Sequence, residues 1–312
     1  MNEFSTAFYR KRKKGVYSEV EAPVLGASVA DTHAHLDMLK DPAANLARCA
    51  CHGVTFVCAM CDPVEDSTTT YDRLEIWRSD AEALLREGGY TESVLRVPRL
   101  RVAIGCHPHN AKDYTDEVEN VLLHRLRDPR TCALGEVGLD YHYDFSPREV
   151  QREVFRRQIR IAHKTGLPLI LHMREAHDEG FSILKEEGFP EAGVLLHCCN
   201  IDPEALAPWV QADCYVAYGG PLTFKKADEV RAGAQTVPLD RLLTETDSPY
   251  MTPEPMRGMT CGPEHTIFTA AKMCDVLMRE TPSARDDMLH CLYDNALRVL
   301  DHEPTAWQNA EK

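Results

Sequence analysis

The sequence predicts an α/β protein built as a single TIM (β/α)₈ barrel. Its 312 residues are enough for one barrel of about 250 residues with short segments at both ends. Short apolar runs alternate with helix-like stretches, the pattern of consecutive βα units around a parallel sheet. No internal repeat, low-complexity block or linker marks a second domain. We therefore expect a flexible extension over residues 1–27, one barrel domain over 28–302 and a tail over 303–312.

Each predicted strand is a short apolar run bounded by turn residues, as in a buried parallel sheet. Several predicted helices begin at a proline, which fits the first helical turn, and Gly88-Gly89 ends another. The first predicted strand ends near Asp31, and the others cover 54–60, 100–105, 132–136, 167–172, 193–197, 214–220 and 242–246. The predicted helices cover 42–51, 67–85, 147–164, 175–187, 203–211, 264–280 and 283–300.

Composition and charge exclude some classes of protein. The hydrophobic content of 44% and charged content of 27% are ordinary for a soluble globular protein, and no apolar stretch approaches the ~20 residues that span a bilayer. The net charge of −14 argues against broad non-specific binding to nucleic acid. The basic run over residues 10–14 has no apolar segment after it, so we expect no signal peptide there. We interpret it as a solvated extension, with an arm that contacts nucleic acid as the alternative.

The twelve cysteines predict buried, reduced thiols rather than disulfides. The pairs Cys49-x-Cys51 and Cys58-x-x-Cys61 do not repeat as two zinc knuckles, and Cys58 lies inside an apolar run where a small thiol packs well. Reduced thiols are typical of a cytoplasmic protein, which is the location we expect.

Polar side chains end several of the predicted strands and indicate a metal centre. His33 and His35 are one residue apart, so their imidazoles share one face of the first strand. A single His-x-His pair is a weak signal, but the strand ends of a barrel converge and here supply six candidate ligands. These are His33, His35, Glu136, His172, His197 and Asp247.

An ordered series of motifs over residues 29 to 300 resembles the TatD family of metal-dependent hydrolases and deoxyribonucleases, within the amidohydrolase superfamily. The motifs are Asp31-Thr32-His33-Ala34-His35-Leu36, Gly105-Cys106-His107-Pro108-His109, Gly135-Glu136-Val137-Gly138-Leu139-Asp140, residues 168–174, His197-Cys198, residues 245–250 and Asn295-Ala296. The resemblance implies a TIM barrel with a two-metal hydrolytic centre, and phosphodiester or related ester bonds as substrates.

Two segments depart from the family pattern. After His197 the family often shows Cys-Phe-Ser-Gly, whereas residues 198–201 read Cys-Cys-Asn-Ile. Downstream of Arg257 the family usually shows Asn-Glu-Pro, whereas residues 261–263 read Cys-Gly-Pro. We expect both segments at the mouth of the active site, where they would alter substrate preference.

The six candidate ligands divide into two sets. We expect His33, His35 and Asp247 to hold one divalent cation and His172 with His197 to hold the other. Glu136 would bridge them, because a carboxylate has one oxygen for each cation, and no lysine stands at the end of that strand. A histidine-rich set accepts Zn, Mn, Co or Ni, whereas Mg favours more oxygen ligands. Asp247 is the expected general base, with a helix cap before Ser248-Pro249 as its alternative role.

Further residues are expected around the centre. Asp31 shares the face of His33 and would orient a ligand imidazole, unless it only closes the strand. His107 and His109 would contact a substrate phosphate, or stabilise a turn at Pro108. Arg174 shares the face of His172 and would bind phosphate or orient a carboxylate. The predicted mouth loops also carry Tyr141, His142, Tyr143, Lys225, Lys226 and Tyr250.

These expectations favour a deoxyribonuclease, a phosphodiesterase that acts like a 3′-exonuclease with a metal-activated water. Basic and stackable residues near the mouth favour a polynucleotide such as DNA, whereas a closed apolar pocket would favour a small molecule. The alternative enzyme cleaves a small ester, lactone or amide, and a binding protein with a relict site is the third interpretation. We infer no membrane association and no obligate protein partner.

Overall fold

The computed structural model describes residues 5–12, 15–65, 69–91 and 96–310, and these residues form ten strands and ten α-helices. The strands are β1 (Phe8–Lys11), β2 (Tyr17–Val20), β3 (Val29–Ala34), β4 (Val54–Cys61), β5 (Arg99–Ile104), β6 (Thr131–Asp140), β7 (Leu169–Arg174), β8 (Val194–Leu196), β9 (Tyr215–Tyr218) and β10 (Leu242–Thr244). The helices are α1 (Pro42–Cys51), α2 (Thr69–Glu87), α3 (Asp116–Leu126), α4 (Arg148–Thr165), α5 (His177–Glu187), α6 (Pro203–Gln211), α7 (Asp228–Thr236), α8 (Thr266–Val276), α9 (Pro282–Leu300) and α10 (Ala306–Asn309).

Strands β3 to β10 form a parallel sheet in which each strand pairs with its neighbours in chain order. Helices lie between successive strands, so the predicted TIM barrel is confirmed. Strand β6 extends four residues beyond Glu136, and β7 extends two residues beyond His172. Both extensions carry polar side chains farther towards the site than the sequence pattern indicated.

The barrel closes between its first and last strands through side chains as well as the backbone. Thr32 Oγ1 donates to Thr244 O at 3.1 Å, and Thr244 Oγ1 donates to Ala30 O at 2.9 Å. Beyond the last strand, the N–H of Asp247 donates to His33 O at 2.9 Å. The seam thus connects the segments that carry three of the six candidate ligands.

Helix α9 covers the end of the barrel at which the strands begin. Its buried residues Ala296, Val299 and Leu300 pack against an interior cluster that includes Phe56 and Cys58. Asn295, also buried, donates from Nδ2 to Leu239 O at 2.8 Å and to Leu242 O at 3.0 Å. These contacts join α9 to the start of β10 and leave the opposite end of the barrel for the site.

The segment before the barrel contains an antiparallel β-hairpin of β1 and β2, which the expected flexible extension did not include. Phe8 is buried against His52, His265 and Phe268, and Arg48 Nε donates to Ser5 O at 2.8 Å. One aromatic anchor therefore attaches the hairpin to the barrel wall. Of the basic run, Arg10 and Lys11 belong to β1 and Arg12 directly follows this strand, whereas residues 13–14 lie outside the described residues.

The expected tail over 303–312 contains the short helix α10, which packs on the barrel through a buried glutamine. Gln308 Nε2 donates to Leu126 O at 2.9 Å and to Thr131 O at 3.0 Å. The Arg127 guanidinium lies 3.8 Å from the centre of the Trp307 ring. The described part of the tail is therefore bound to the α3–β6 region, whereas residues 311–312 lie outside the description.

Two helices of the barrel were not predicted, and the boundaries of others differ. The first, α3, follows Thr115, whose Oγ1 accepts from the N–H of Val118, and its first turn is acidic. The second, α7, has only nine residues, contains a glycine and has Val230 as its one large apolar residue, so few apolar positions mark it in the sequence. Of the helix predicted over 67–85, residues 67–68 lie outside the described residues, and the predicted 264–280 helix ends at Val276. None of the helices in the described ranges is long and apolar enough to cross a membrane.

Replacing Asn295 with alanine should destabilise the barrel by about 2 kcal/mol or more, because two buried carbonyl groups lose their donor. The midpoint of urea unfolding should fall accordingly. Asp294→Ala is the matched control, because Asp294 is the exposed neighbour on the same helix. Equal midpoints for the two variants would show that the Asn295 contacts do not stabilise the closed end of the barrel.

Candidate metal centre

The six candidate ligands meet at the end of the barrel where the strands finish. His33 belongs to β3, Glu136 to β6 and His172 to β7. His35 and His197 directly follow β3 and β8, and Asp247 lies three residues after β10. The structure brings all six to one cavity wall or to the floor beneath it. The convergence follows from the parallel sheet, in which every strand finishes at the same rim.

Glu136 lies at the centre of the group, and its two oxygens face two different pairs of imidazoles. Oε1 lies 3.3 Å from His33 Nε2 and 3.2 Å from His35 Nε2. Oε2 lies 3.1 Å from both His172 Nδ1 and His197 Nε2. One carboxylate therefore separates two sets of nitrogen donors, which is the arrangement that a bridging ligand requires.

Asp247 joins the first set. Its Oδ1 lies 3.6 Å from His35 Nε2 and 3.9 Å from His33 Nε2. His33, His35 and Asp247 form one group of donor atoms within 4.8 Å of one another. Two further groups of that size are His33, Glu136 and His197, and His107, Glu136 and His172.

The chemistry of these donors fits divalent cations. His33 is fully buried, and neither of its ring nitrogens has a partner in hydrogen-bond geometry among the described residues, although Nε2 lies 3.3 Å from Glu136 Oε1. A buried imidazole without a partner is rare unless something else occupies its lone pair or N–H. The mixture of imidazole and carboxylate donors matches the preferences of zinc and its neighbours in the first transition series.

The carboxylates and imidazoles of the cluster shift one another's pKa values. Burial opposes ionisation of Glu136, but the imidazoles of His33 and His197 hold its pKa well below the usual value. Burial also opposes the charged form of His35, but hydrogen bonds with Asp247 and Glu136 raise its pKa to about 10. For His33 burial prevails and, with the nearby His197, lowers its pKa. Glu136 is therefore ionised at neutral pH and available as a ligand.

A cavity of about 470 Å³ opens above the ligands. His107, His109, Arg174, Tyr143 and Tyr250 line it, as expected for residues near the mouth. Four residues expected in the mouth loops are absent from its lining. Lys225 and Lys226 are exposed elsewhere, Tyr141 Oη donates to Glu179 and His142 pairs with Glu175.

Comparison with known proteins identifies the family. A model of the family described as TatD related DNase matches residues 30–301. The chain belongs to the TatD family of metal-dependent hydrolases. It is 39% identical over 177 residues to the metal-dependent hydrolase YabD of Bacillus subtilis, a match that covers 57% of this chain and 69% of YabD. It is 34% identical over 177 residues to the human 3′-5′ RNA nuclease TATDN2, covering 56% of this chain and 23% of that protein.

The crystal structure of YJJV, a TatD homolog from Escherichia coli, superposes with a TM-score of 0.71 at 27% identity. The superposition covers 88% of this chain and 98% of YJJV. The two proteins therefore share the barrel fold over most of both chains.

Two carboxylates lie behind candidate ligand histidines of this TatD chain and were not assigned from the sequence. Asp140 Oδ2 lies 3.2 Å from His172 Nε2 and 2.8 Å from His109 Nε2. Glu245 is buried, and its Oε1 lies 3.7 Å from His197 Nδ1 and accepts from the N–H of Cys198. Carboxylates behind a ligand imidazole fix its tautomer and orientation. Side chains of a strand alternate between its two faces, and this alternation was the signal in the sequence for both residues. Asp140 lies four residues after Glu136, and Glu245 lies two residues before Asp247.

Asp31 acts on the backbone rather than on an imidazole. Its Oδ1 accepts from the N–H groups of His33 at 3.2 Å and Thr246 at 2.9 Å, and its Oδ2 accepts from Thr246 Oγ1 at 2.6 Å. The expectation that Asp31 orients a ligand imidazole is therefore wrong, because its carboxylate accepts from the N–H of His33 and from Thr246 instead. The carboxylate instead ties the His33 segment to the segment that leads into Asp247.

The two segments that depart from the TatD pattern do not line the cavity. Cys199 and Cys261 are buried, and the N–H of Cys261 donates to Pro249 O at 3.1 Å. Glu264 is also buried and accepts from Asn45 Nδ2 at 3.0 Å. The expectation that these segments shape the mouth is wrong, because neither lines the cavity: Cys199 and Cys261 are buried, and the exposed Asn200 lies outside the cavity wall.

Glu136→Gln should lower the content of bound divalent metal more than the loss of any single histidine. The substitution removes the negative charge from both oxygens that face the two imidazole pairs. Elemental analysis of protein purified without chelator measures the stoichiometry. Glu175→Gln is the control, because Glu175 is exposed and pairs with His142 instead. An unchanged metal content in Glu136→Gln would contradict the bridging position.

Proposed function

We propose that this protein is a deoxyribonuclease that hydrolyses phosphodiester bonds at DNA ends with two divalent cations, in the manner of a 3′-exonuclease. The observation that carries the proposal is the position of Glu136, with one oxygen towards each imidazole pair. Membership of the TatD family supports hydrolysis, and the human relative named a 3′-5′ RNA nuclease supports nucleic acid as the substrate class.

His33, His35 and Asp247 would hold one cation, His172 and His197 the other, and Glu136 would contact both. When bound, such cations lower the pKa of a water molecule and neutralise charge that develops on phosphoryl oxygens. The nitrogen-rich donors favour Zn, Mn, Co or Ni over Mg. His107 Nε2 lies 3.7 Å from Glu136 Oε2, so this imidazole is available to either the second set or the substrate.

Asp247 is proposed to accept the proton of the attacking water. Hydrogen bonding with His35 and the charges of His197 and His33 overcome the effect of burial and lower the pKa of Asp247, which keeps it ionised. Its φ of 58° is left-handed, a conformation that aspartate and asparagine tolerate better than most residues. Its N–H donates to His33 O, so the carboxylate is fixed relative to the first ligand pair.

Arg174 is proposed to bind the substrate phosphate. It lines the cavity and forms no ion pair with a carboxylate of the described chain. In a protein with a net charge of −14, an unpaired guanidinium beside the ligands is a local site for an anion.

The reaction is proposed to take place in the cytoplasm. None of the twelve cysteines forms a disulfide and most are buried, which fits a reducing compartment.

Asp247→Asn should abolish turnover of an end-labelled DNA strand and leave its binding in the presence of metal nearly intact. The amide keeps the shape and the backbone conformation of Asp247 but cannot take up a proton at neutral pH. Single-turnover kinetics and binding by fluorescence anisotropy measure the two properties separately. Substantial turnover in this variant would remove Asp247 as the base.

Binding of a single-stranded oligonucleotide should weaken with salt, with a slope of roughly one to three phosphate contacts at about −0.7 per contact. In the Asp247→Asn background, Arg174→Ala should reduce the slope by about one contact. Lys225→Ala is the control, because Lys225 lies outside the cavity wall and should leave the slope unchanged. Absence of binding at low salt, together with rapid hydrolysis of a small ester or lactone, would overturn the nuclease in favour of a small-molecule hydrolase.

A further inference from the structure

Two aromatic rings stand exposed on the wall of the cavity. Tyr143 and Phe145 are 49% and 56% exposed, and their rings are nearly parallel, with centroids 5.2 Å apart and an interplanar angle of 9°. Phe145 is the only exposed phenylalanine in the described part of the chain. Its ring has a large apolar surface that the fold does not bury.

The loop that carries both rings is fixed at its two ends. At the start, Asp140 Oδ1 accepts from the N–H groups of His142 at 2.9 Å and Tyr143 at 3.0 Å. At the end, Ser146 is buried, donates to His109 O at 2.7 Å, and its carbonyl accepts from Gln151 Nε2 at 2.8 Å. The rings are therefore held in place before any ligand arrives, which lowers the entropic cost of binding to them.

The paired rings adjoin the groups assigned to phosphate binding and to the metals. The Arg174 guanidinium lies 4.6 Å from the centre of the Tyr143 ring. His109 meets both rings edge-on, at 5.6 Å from Tyr143 and 4.8 Å from Phe145. Asp140, which fixes the loop through Oδ1, contacts His172 through Oδ2. A phosphate bound to Arg174 would therefore lie next to the aromatic surface of Tyr143 and Phe145.

We propose that Tyr143 and Phe145 form a stacking platform for an unpaired nucleobase next to the phosphate that is cleaved. The inference rests on the proposed function and narrows its substrate to single-stranded nucleic acid or a frayed end. Bases inside a duplex are stacked on their neighbours and do not present a free face, whereas an unpaired base stacks on any aromatic ring. The platform selects for strandedness without selecting for sequence, because every base has a π-face.

The test compares wild type and Phe145→Ala on single-stranded oligonucleotides with a base or an abasic residue at each of the three terminal positions. For the normal strand, Phe145→Ala should raise KM about tenfold, the effect of losing one stacking contact. At one position the abasic residue should raise KM for wild type but add little for Phe145→Ala. Phe145→Trp should restore the wild-type KM, because an indole ring stacks equally well.

Tyr17→Ala is the matched control, because Tyr17 is as exposed as Phe145 but belongs to the hairpin outside the cavity. It should leave KM and kcat unchanged. If Phe145 had a purely structural role, Phe145→Ala would lower kcat by disturbing His172. The size of that effect would then be the same for every position of the abasic residue. Equal KM values for wild type and Phe145→Ala, or additive effects of the two changes at every position, would overturn the platform while the nuclease stands. If wild type cleaves no oligonucleotide, the proposed function fails and the platform with it.

Discussion

The site depends on the closure of the barrel between its first and last strands. The buried carboxylate of Asp31 accepts from His33 and Thr246, and the N–H of Asp247 donates to His33 O. His33 and His35 are thereby held 3.9 Å and 3.6 Å from Asp247 Oδ1, although Asp247 lies more than 200 residues after them in the sequence. The ladder between these strands is incomplete, so threonine hydroxyl groups supply the hydrogen bonds that close the cylinder. The relative positions of these three candidate ligands therefore depend on the contacts that close the barrel.

A second connection joins the ligands to the substrate side of the cavity. Asp140 uses one oxygen for the imidazoles of His109 and His172 and the other for two backbone N–H groups of the following loop. The imidazoles hold the pKa of Asp140 below its usual value against the effect of burial, so the residue remains a pure acceptor. The position of a ligand and the position of the loop are consequently set by the same side chain.

The periodicity of the sequence was sufficient for the barrel, the six candidate ligands and the end of the barrel at which they meet. It was insufficient where tertiary contacts prevail. The sequence predicts that a strand ends at Glu136, whereas β6 continues to Asp140. The extension is possible because His172 contacts the Asp140 carboxylate and Gln151 accepts from the Asp140 N–H, beyond the apolar run. The hairpin was missed because one residue, Phe8, anchors it. Lys225 and Lys226 were expected near the mouth from their position after a strand, but the direction of a loop is not encoded in local pattern.

The loop between Asp140 and Ser146 is anchored by these two end residues, whereas its exposed rings belong to Tyr143 and Phe145. Both anchors bond to the backbone and to residues of the scaffold, so they place few demands on the identity of the side chains between them. Natural variation within this segment could therefore change what the enzyme accepts while the hydrolytic machinery stays intact. The same arrangement makes the segment a suitable target for protein engineering, in which loop residues are exchanged while the candidate metal ligands stay unchanged.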